Sequence, residues 1–90
     1  MNQKSGQITV SDSVATQFSN VAVITAMIKA HPSNGGIVWI GNDGADSVSA
    51  TTGFPLSVGD MVIINLDGNL KELFGLAAVN NDKICWIIVD

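Results

Sequence analysis

Side chains able to do chemistry are few and scattered in this 90-residue chain. His31 is the single histidine, and Ser33 follows two residues later. A nucleophilic serine needs a histidine base and an orienting acid. It also needs a turn that presents it, such as a G-x-S-x-G elbow, and no serine here has that frame. With Pro32 between them, the two residues read as a strand end and turn. Asp60 and Glu72 are the carboxylate pair one would enlist for glycoside hydrolysis, but that work needs a substrate cleft. Asn42-Asp43-Gly44-Ala45-Asp46-Ser47 gathers oxygen ligands as a calcium loop does. It lacks the D-x-[DN]-x-[DN]-G frame and the bidentate glutamate, and Asn and Asp serve plain turns for their own reasons. Gly35-Gly36 belongs to no phosphate-cradling loop of the G-x-x-x-x-G-K-[ST] kind. Cys85 is the only cysteine, so it has no partner within the chain for a disulfide or a thiolate cluster. In its apolar run it reads as a small hydrophobe. The expectation is a chain with no catalytic residue, no metal, no cofactor and no enzymatic activity.

The elements that carry these residues are short and β-like. Three apolar runs, Ile37–Ile40, Met61–Asn65 and Ile84–Val89, look like core strands. Gly53 to Asp60, with Pro55 and Gly59, turns the chain into the second of them. Val21–Ala30 is rich in β-branched residues and would be apolar on nearly every side as a helix, so it reads as a long strand. His31 to Gly36 ends it. Gln7–Val10 alternates and suits a first strand. Ser11 to Asn20 reads as a structured loop, and Val48–Thr51 as a short edge strand. Asp67-Gly68-Asn69 is a hairpin signal that would pair Met61–Leu66 with Leu70–Leu73. Phe74–Val79 continues as a strand with Gly75 at a bulge, and Asn80–Lys83 makes a second tight turn. Trp39 and Trp86, each in an apolar strand, are expected in the core.

The fold class expected is all-β: a small antiparallel β-sandwich, jelly-roll-like, of seven or eight short strands. Residues 1–20 are assigned to an N-terminal arm and loop able to dock elsewhere, and 21–90 to a single sandwich domain.

Composition bounds the function. Hydrophobic residues make up 47% of the chain and charged residues 13%, where about a quarter charged is usual for a soluble domain. The shortfall implies surface buried against other chains. The last strand points the same way. Ile84, Trp86 and Ile88 would lie on one face and Cys85, Ile87 and Val89 on the other, where an antiparallel sandwich should meet water with polar residues. Phe18 and Phe54, in loops, join Cys85, Ile87 and Val89 as expected partner contacts. The net charge is −4, with four lysines and no arginine, which argues against nucleic-acid binding. No apolar run approaches the roughly 18 residues of a membrane span, and no apolar stretch of signal-peptide length follows Met1 to Gly6. No membrane partner is expected.

A resemblance adds to this. Gly41-Asn42 closes a Val-Trp-Ile strand, Ala50 to Gly59 reads as an A-T-x-G-x-x-L-x-x-G turn, and Trp86 sits in a terminal apolar strand. Together these resemble small structural proteins of tailed-bacteriophage virions, over roughly Val21 to Val89. The resemblance implies a capsid decoration, or cement, protein on the capsid exterior of the virion, made in the host cytoplasm. It implies a homotrimer that binds between subunits of the major capsid protein and stabilises the phage head. The alternative is a receptor- or glycan-binding module of a phage tail fibre or spike.

Overall fold

The computed structural model describes residues 5–42 and 48–89. Eight strands follow one another: β1 Ser5–Thr9, β2 Thr16–Gln17, β3 Ala22–Ala30, β4 Val38–Gly41, β5 Phe54–Leu56, β6 Met61–Asn69, β7 Phe74–Ala77 and β8 Lys83–Ile88. They form two four-stranded antiparallel sheets, ordered β1-β8-β3-β6 and β2-β7-β4-β5. The pairings β1–β8, β2–β7, β3–β6 and β4–β5 are those of one long hairpin with arms β1–β4 and β5–β8. Wrapping that ribbon over itself adds the β3–β8 and β4–β7 pairings. The fold is an eight-stranded jelly roll.

In such a roll most consecutive strands lie in opposite sheets, and this overturns the hairpin expected at Asp67-Gly68-Asn69. β6 runs on through that tripeptide, still paired with β3 at Gly68 and Asn69. Asp67 takes the left-handed backbone (φ 48) that made the sequence look like a turn. Leu70–Glu72 then forms a 3-10 turn rather than a strand. Asn69 accepts the Lys71 N–H at 2.9 Å, and the Glu72 carboxylate accepts the Asn69 N–H at 2.9 Å, a capping box. Likewise 48–53 is a turn, not an edge strand. The Ser49 hydroxyl accepts the N–H groups of Thr51 and Thr52 there.

The pairing of β3 with β6 shifts register between Val23 and Thr25, where Leu66 and Asp67 of β6 stand opposite Ile24 alone, and the alternation expected along β3 breaks there. Val23 is buried on one side of the bulge, and Ala26, Ile28 and Ala30 on the other. The extra residue lies in β6, and across this irregularity the inward parity of β3 passes from odd to even, keeping an apolar side inward throughout.

The segment assigned to an arm belongs to the sandwich from Ser5 onward. β1 pairs with β8 along its whole length. Val10 and Phe18 are buried in the core with Ile28, Val38, Leu70, Ile84 and Trp86. Gly75 lies inside this cluster in regular pairing with Thr16 and Ile40, not at a bulge. A Cβ there would come within 2.7 Å of Ile84 Cδ1 and 3.1 Å of Val10 Cγ1, so close packing explains the glycine.

Candidate interaction surface

Strand alternation divides each sheet into an inner and an outer face. On β8, Ile84 and Trp86 point inward and are buried; Cys85 is half-buried and Ile87 is 44% exposed on the outside. Register places Ile87 beside Met27 of β3, and Met27 beside Ile63 of β6. One row further on, Cys85 neighbours Lys29, and Lys29 neighbours Met61. Val89 continues the stripe beyond β8, its N–H donating to the Thr25 carbonyl. Ile63 is 60% exposed, and Met61 and Val89 are about half exposed. The outer face of β1-β8-β3-β6 is therefore an apolar stripe, with Lys29 and Lys83 as its cations and Ser5, Gln7 and Thr9 of β1 as a polar margin.

The other outer face is treated differently. Trp39 lies on it, half-buried, because the inward places of β4 are held by Val38 and Ile40; Trp39 is thus not the core residue expected. The 48–53 turn folds over this face. Val48 is buried against Gly41, and Gly53 packs on Trp39 so closely that a Cβ would lie 2.6 Å from the Trp39 Cβ.

Of the expected partner contacts, Cys85, Ile87 and Val89 share the open stripe. Phe54 is exposed on edge strand β5, beside the other sheet. Phe18 is a correction. It is 3% exposed and packs in the core, because the 11–20 segment folds back against β7: the Phe18 N–H donates to the Leu73 carbonyl at 2.9 Å. Burial pushes the Cys85 thiol above its ordinary range, and nearby Lys29 pulls it partly back. The thiol is therefore protonated at neutral pH and a weak nucleophile.

The other chemical candidates are occupied structurally. The Ser33 N–H donates to His31 Nδ1 at 3.0 Å, and the Ser33 hydroxyl lies 2.7 Å from the same nitrogen, inside a turn closed by the Asn34 N–H on the His31 carbonyl. The Asp60 carboxylate accepts the Ser57 N–H, and Glu72 is held in the capping box. Of the oxygen-rich loop, Asn42 is exposed, and 43–47 lie outside the described residues. Among the described residues no three His, Cys, Asp or Glu side chains come together to hold a metal, and no helix is long and apolar enough to cross a membrane.

Sequence reasoning missed two features. Asp82, placed in a plain turn, is a buried carboxylate that accepts the N–H groups of Gly35 and Gly36 at 3.0–3.1 Å and pins the 31–36 turn to β8. The paired glycines and a lone Asp before an apolar strand are its only sequence trace. The second is the contribution of β3 and β6 to the apolar stripe. Alternation within Met61-Val62-Ile63 held that signal, hidden by the assumption that an apolar strand is all core.

Where the sandwich opens between β6 and the β4–β5 side lies a cleft of about 410 Å³. Ile40, Val62, Ile64 and Leu66 form its floor, and Phe54, Asn42, Asn65 and Glu72 stand around it. The molecule is thus a small jelly roll whose main exposed feature is an apolar sheet face. No known protein family, curated protein or solved structure matches the chain.

Proposed function

We propose that the chain is a structural protein of a bacteriophage virion, a decoration or cement protein that seats its β1-β8-β3-β6 face on the capsid exterior between subunits of the major capsid protein. The observation that carries this reading is the open stripe of Met27, Met61, Ile63, Ile87 and Val89 on a chain with so few charges. Contiguous apolar surface of this kind marks an interaction site. Jelly rolls also recur in viral capsid domains, an argument from fold analogy alone. The mechanism asks for no reaction. A chain that binds the assembled shell and not its separated subunits stabilises assembly by mass action. Copies arranged as a closed symmetric oligomer add their contacts together.

The test is co-sedimentation of the purified chain with assembled capsid shells, followed by heating. The chain is expected to pellet with shells and raise their disruption temperature, and Ile87→Lys to abolish both effects. Shells that neither bind the chain nor gain heat resistance would contradict the reading.

A second reading, a receptor- or glycan-binding module of a tail fibre or spike, is favoured by the cleft. Exposed Phe54 offers a stacking surface there, with Asn42, Asn65 and Glu72 as polar neighbours. Glycan-array binding that is lost in Phe54→Ala, with no binding to shells, would select it over the first.

A further inference from the structure

Four strands lie at sheet edges: β1 and β6 in one sheet, β2 and β5 in the other. An edge strand presents unpaired N–H and C=O groups, and proteins usually blunt it with brevity, proline or charge. β2 is two residues long, and β5 is three and contains Pro55. β1 is five residues long and presents polar Ser5, Gln7 and Thr9. β6 is nine residues long, and from Met61 to Leu66 it has no proline and no charge. It is the unguarded edge among the described strands.

The bonding phase of β6 follows from its neighbours. The Ala30 N–H donates to the Asp60 carbonyl at 2.9 Å, and bonded pairs in an antiparallel ladder recur at every second residue. Ile28 with Val62 and Ala26 with Ile64 are therefore the bonded pairs of β3 and β6. The alternate residues of β3 bond to β8: the Val89 N–H donates to the Thr25 carbonyl and the His31 N–H to the Lys83 carbonyl. The backbone groups of Met61, Ile63 and Asn65 are thus aimed at the open edge.

We propose that this edge pairs with β6 of a second copy of the chain, antiparallel, about a twofold axis through Ile63. Ile63 then faces Ile63 of the second copy, and Met61 faces its Asn65. Each such pair exchanges two N–H···O=C bonds. The register is self-complementary in three ways. Outward residues meet outward residues, so the apolar stripes of the two copies join. Asp60 lies opposite Leu66 and Asp67 opposite Gly59, so no charge opposes a like charge. On the inner side Val62 meets Ile64 of the second copy at the mouth of the cleft, where both are half-buried in the single chain. A one-residue slip sets Asp60 against Asp67 and reverses every face. The product is an isologous dimer, not the trimer that the phage resemblance implies. It rests on β6 alone and stands apart from docking of the sheet face on a shell.

Sedimentation equilibrium of the full chain tests this. A monomer–dimer equilibrium is expected. Ile63→Pro removes an edge-facing N–H without touching the β3 ladder and is expected to weaken dimerisation by roughly tenfold or more. The Val10 N–H bonds the Asp82 carbonyl, so the Gln7 N–H points to the open side of β1. Gln7→Pro makes the same change there and is expected to leave the dimer intact. Ile87→Lys is expected to dimerise normally even where it fails on shells. Hydrogen exchange of the unaltered chain gives an answer independent of the variants' folding. The amides of Met61, Ile63 and Asn65 are expected to slow as concentration rises, while those of β1 do not. A chain that stays monomeric at millimolar concentration, a trimer, a dimer indifferent to a folded Ile63→Pro, or unchanged exchange at those three amides overturns the proposal.

Discussion

The two outer faces of this jelly roll are both built from short strands rich in apolar residues, yet among the described residues only one is covered by its own chain. Over β4 the 48–53 turn lies down, burying Val48 on Gly41 and packing Gly53 against Trp39. Over β3, β6 and β8 no comparable segment among the described residues lies down, and Met61, Ile63, Ile87 and Val89 stand exposed. The difference teaches where a low-charge chain places its apolar excess. One face has been made part of the fold, and the other stands open. Side chains on the first contribute to the stability of the isolated molecule. Those on the second contribute chiefly once something covers them.

Substitutions can break or sharpen that contrast. The largest effect is expected on the inner side of the strand that carries the open face. Ile84→Ala should cost about 2–5 kcal/mol in urea unfolding, because Ile84 is fully buried beside Gly75 and the space cannot collapse freely. On the covered face, Gly53→Val should cost about 1–3 kcal/mol by forcing the turn off Trp39, and Trp39 fluorescence should shift toward that of a wetter indole. Asp82→Ala should cost a similar amount, about 1–3 kcal/mol, by orphaning the Gly35 and Gly36 N–H groups. Ile87→Lys on the open face should change the isolated chain by no more than about 0.5 kcal/mol, while removing its association with shells. An open-face substitution as costly as Ile84→Ala would erase the distinction.

A pH effect is expected from the same face. Burial raises the Cys85 thiol, against a smaller opposing pull from Lys29. The folded chain therefore holds this proton more tightly than the unfolded chain. The contribution is fully present below the ordinary thiol range and is lost as pH rises from there through the raised folded value. Unfolding free energies of the unaltered chain and Cys85→Ala should run parallel near neutrality and diverge in alkali, the unaltered chain falling faster.

Much of the fold was legible in local pattern. The all-β class, the long strand ending at Ala30, and the two faces of Ile84 to Ile88 follow from period-2 alternation and turn residues, and they appear as read. What failed was pairing. Asp67-Gly68 marked a special backbone position, but partners in a rolled ribbon are chosen by sheet wrapping, which no local signal encodes. The register shift between β3 and β6 was invisible for the same reason: Val21 and Val23 are as apolar as Ala22 and Ile24, so the switch of inward parity ahead of Thr25 leaves no trace in composition. Phe18 was misread because a polar segment hid one buried anchor. The apolar stripe was half legible. Its β8 part came from a strand apolar on both faces, and its β3 and β6 parts needed the register.

The central claim is that the β1-β8-β3-β6 face is covered in the working assembly, and Cys85, the only thiol, stands within that face. The direct measurement is the rate at which a small thiol reagent modifies Cys85, compared between the isolated chain and the chain held on assembled shells. Modification on the shell should be at least about tenfold slower, since access as well as ionisation governs the thiol. Equal rates in the two states would contradict the claim.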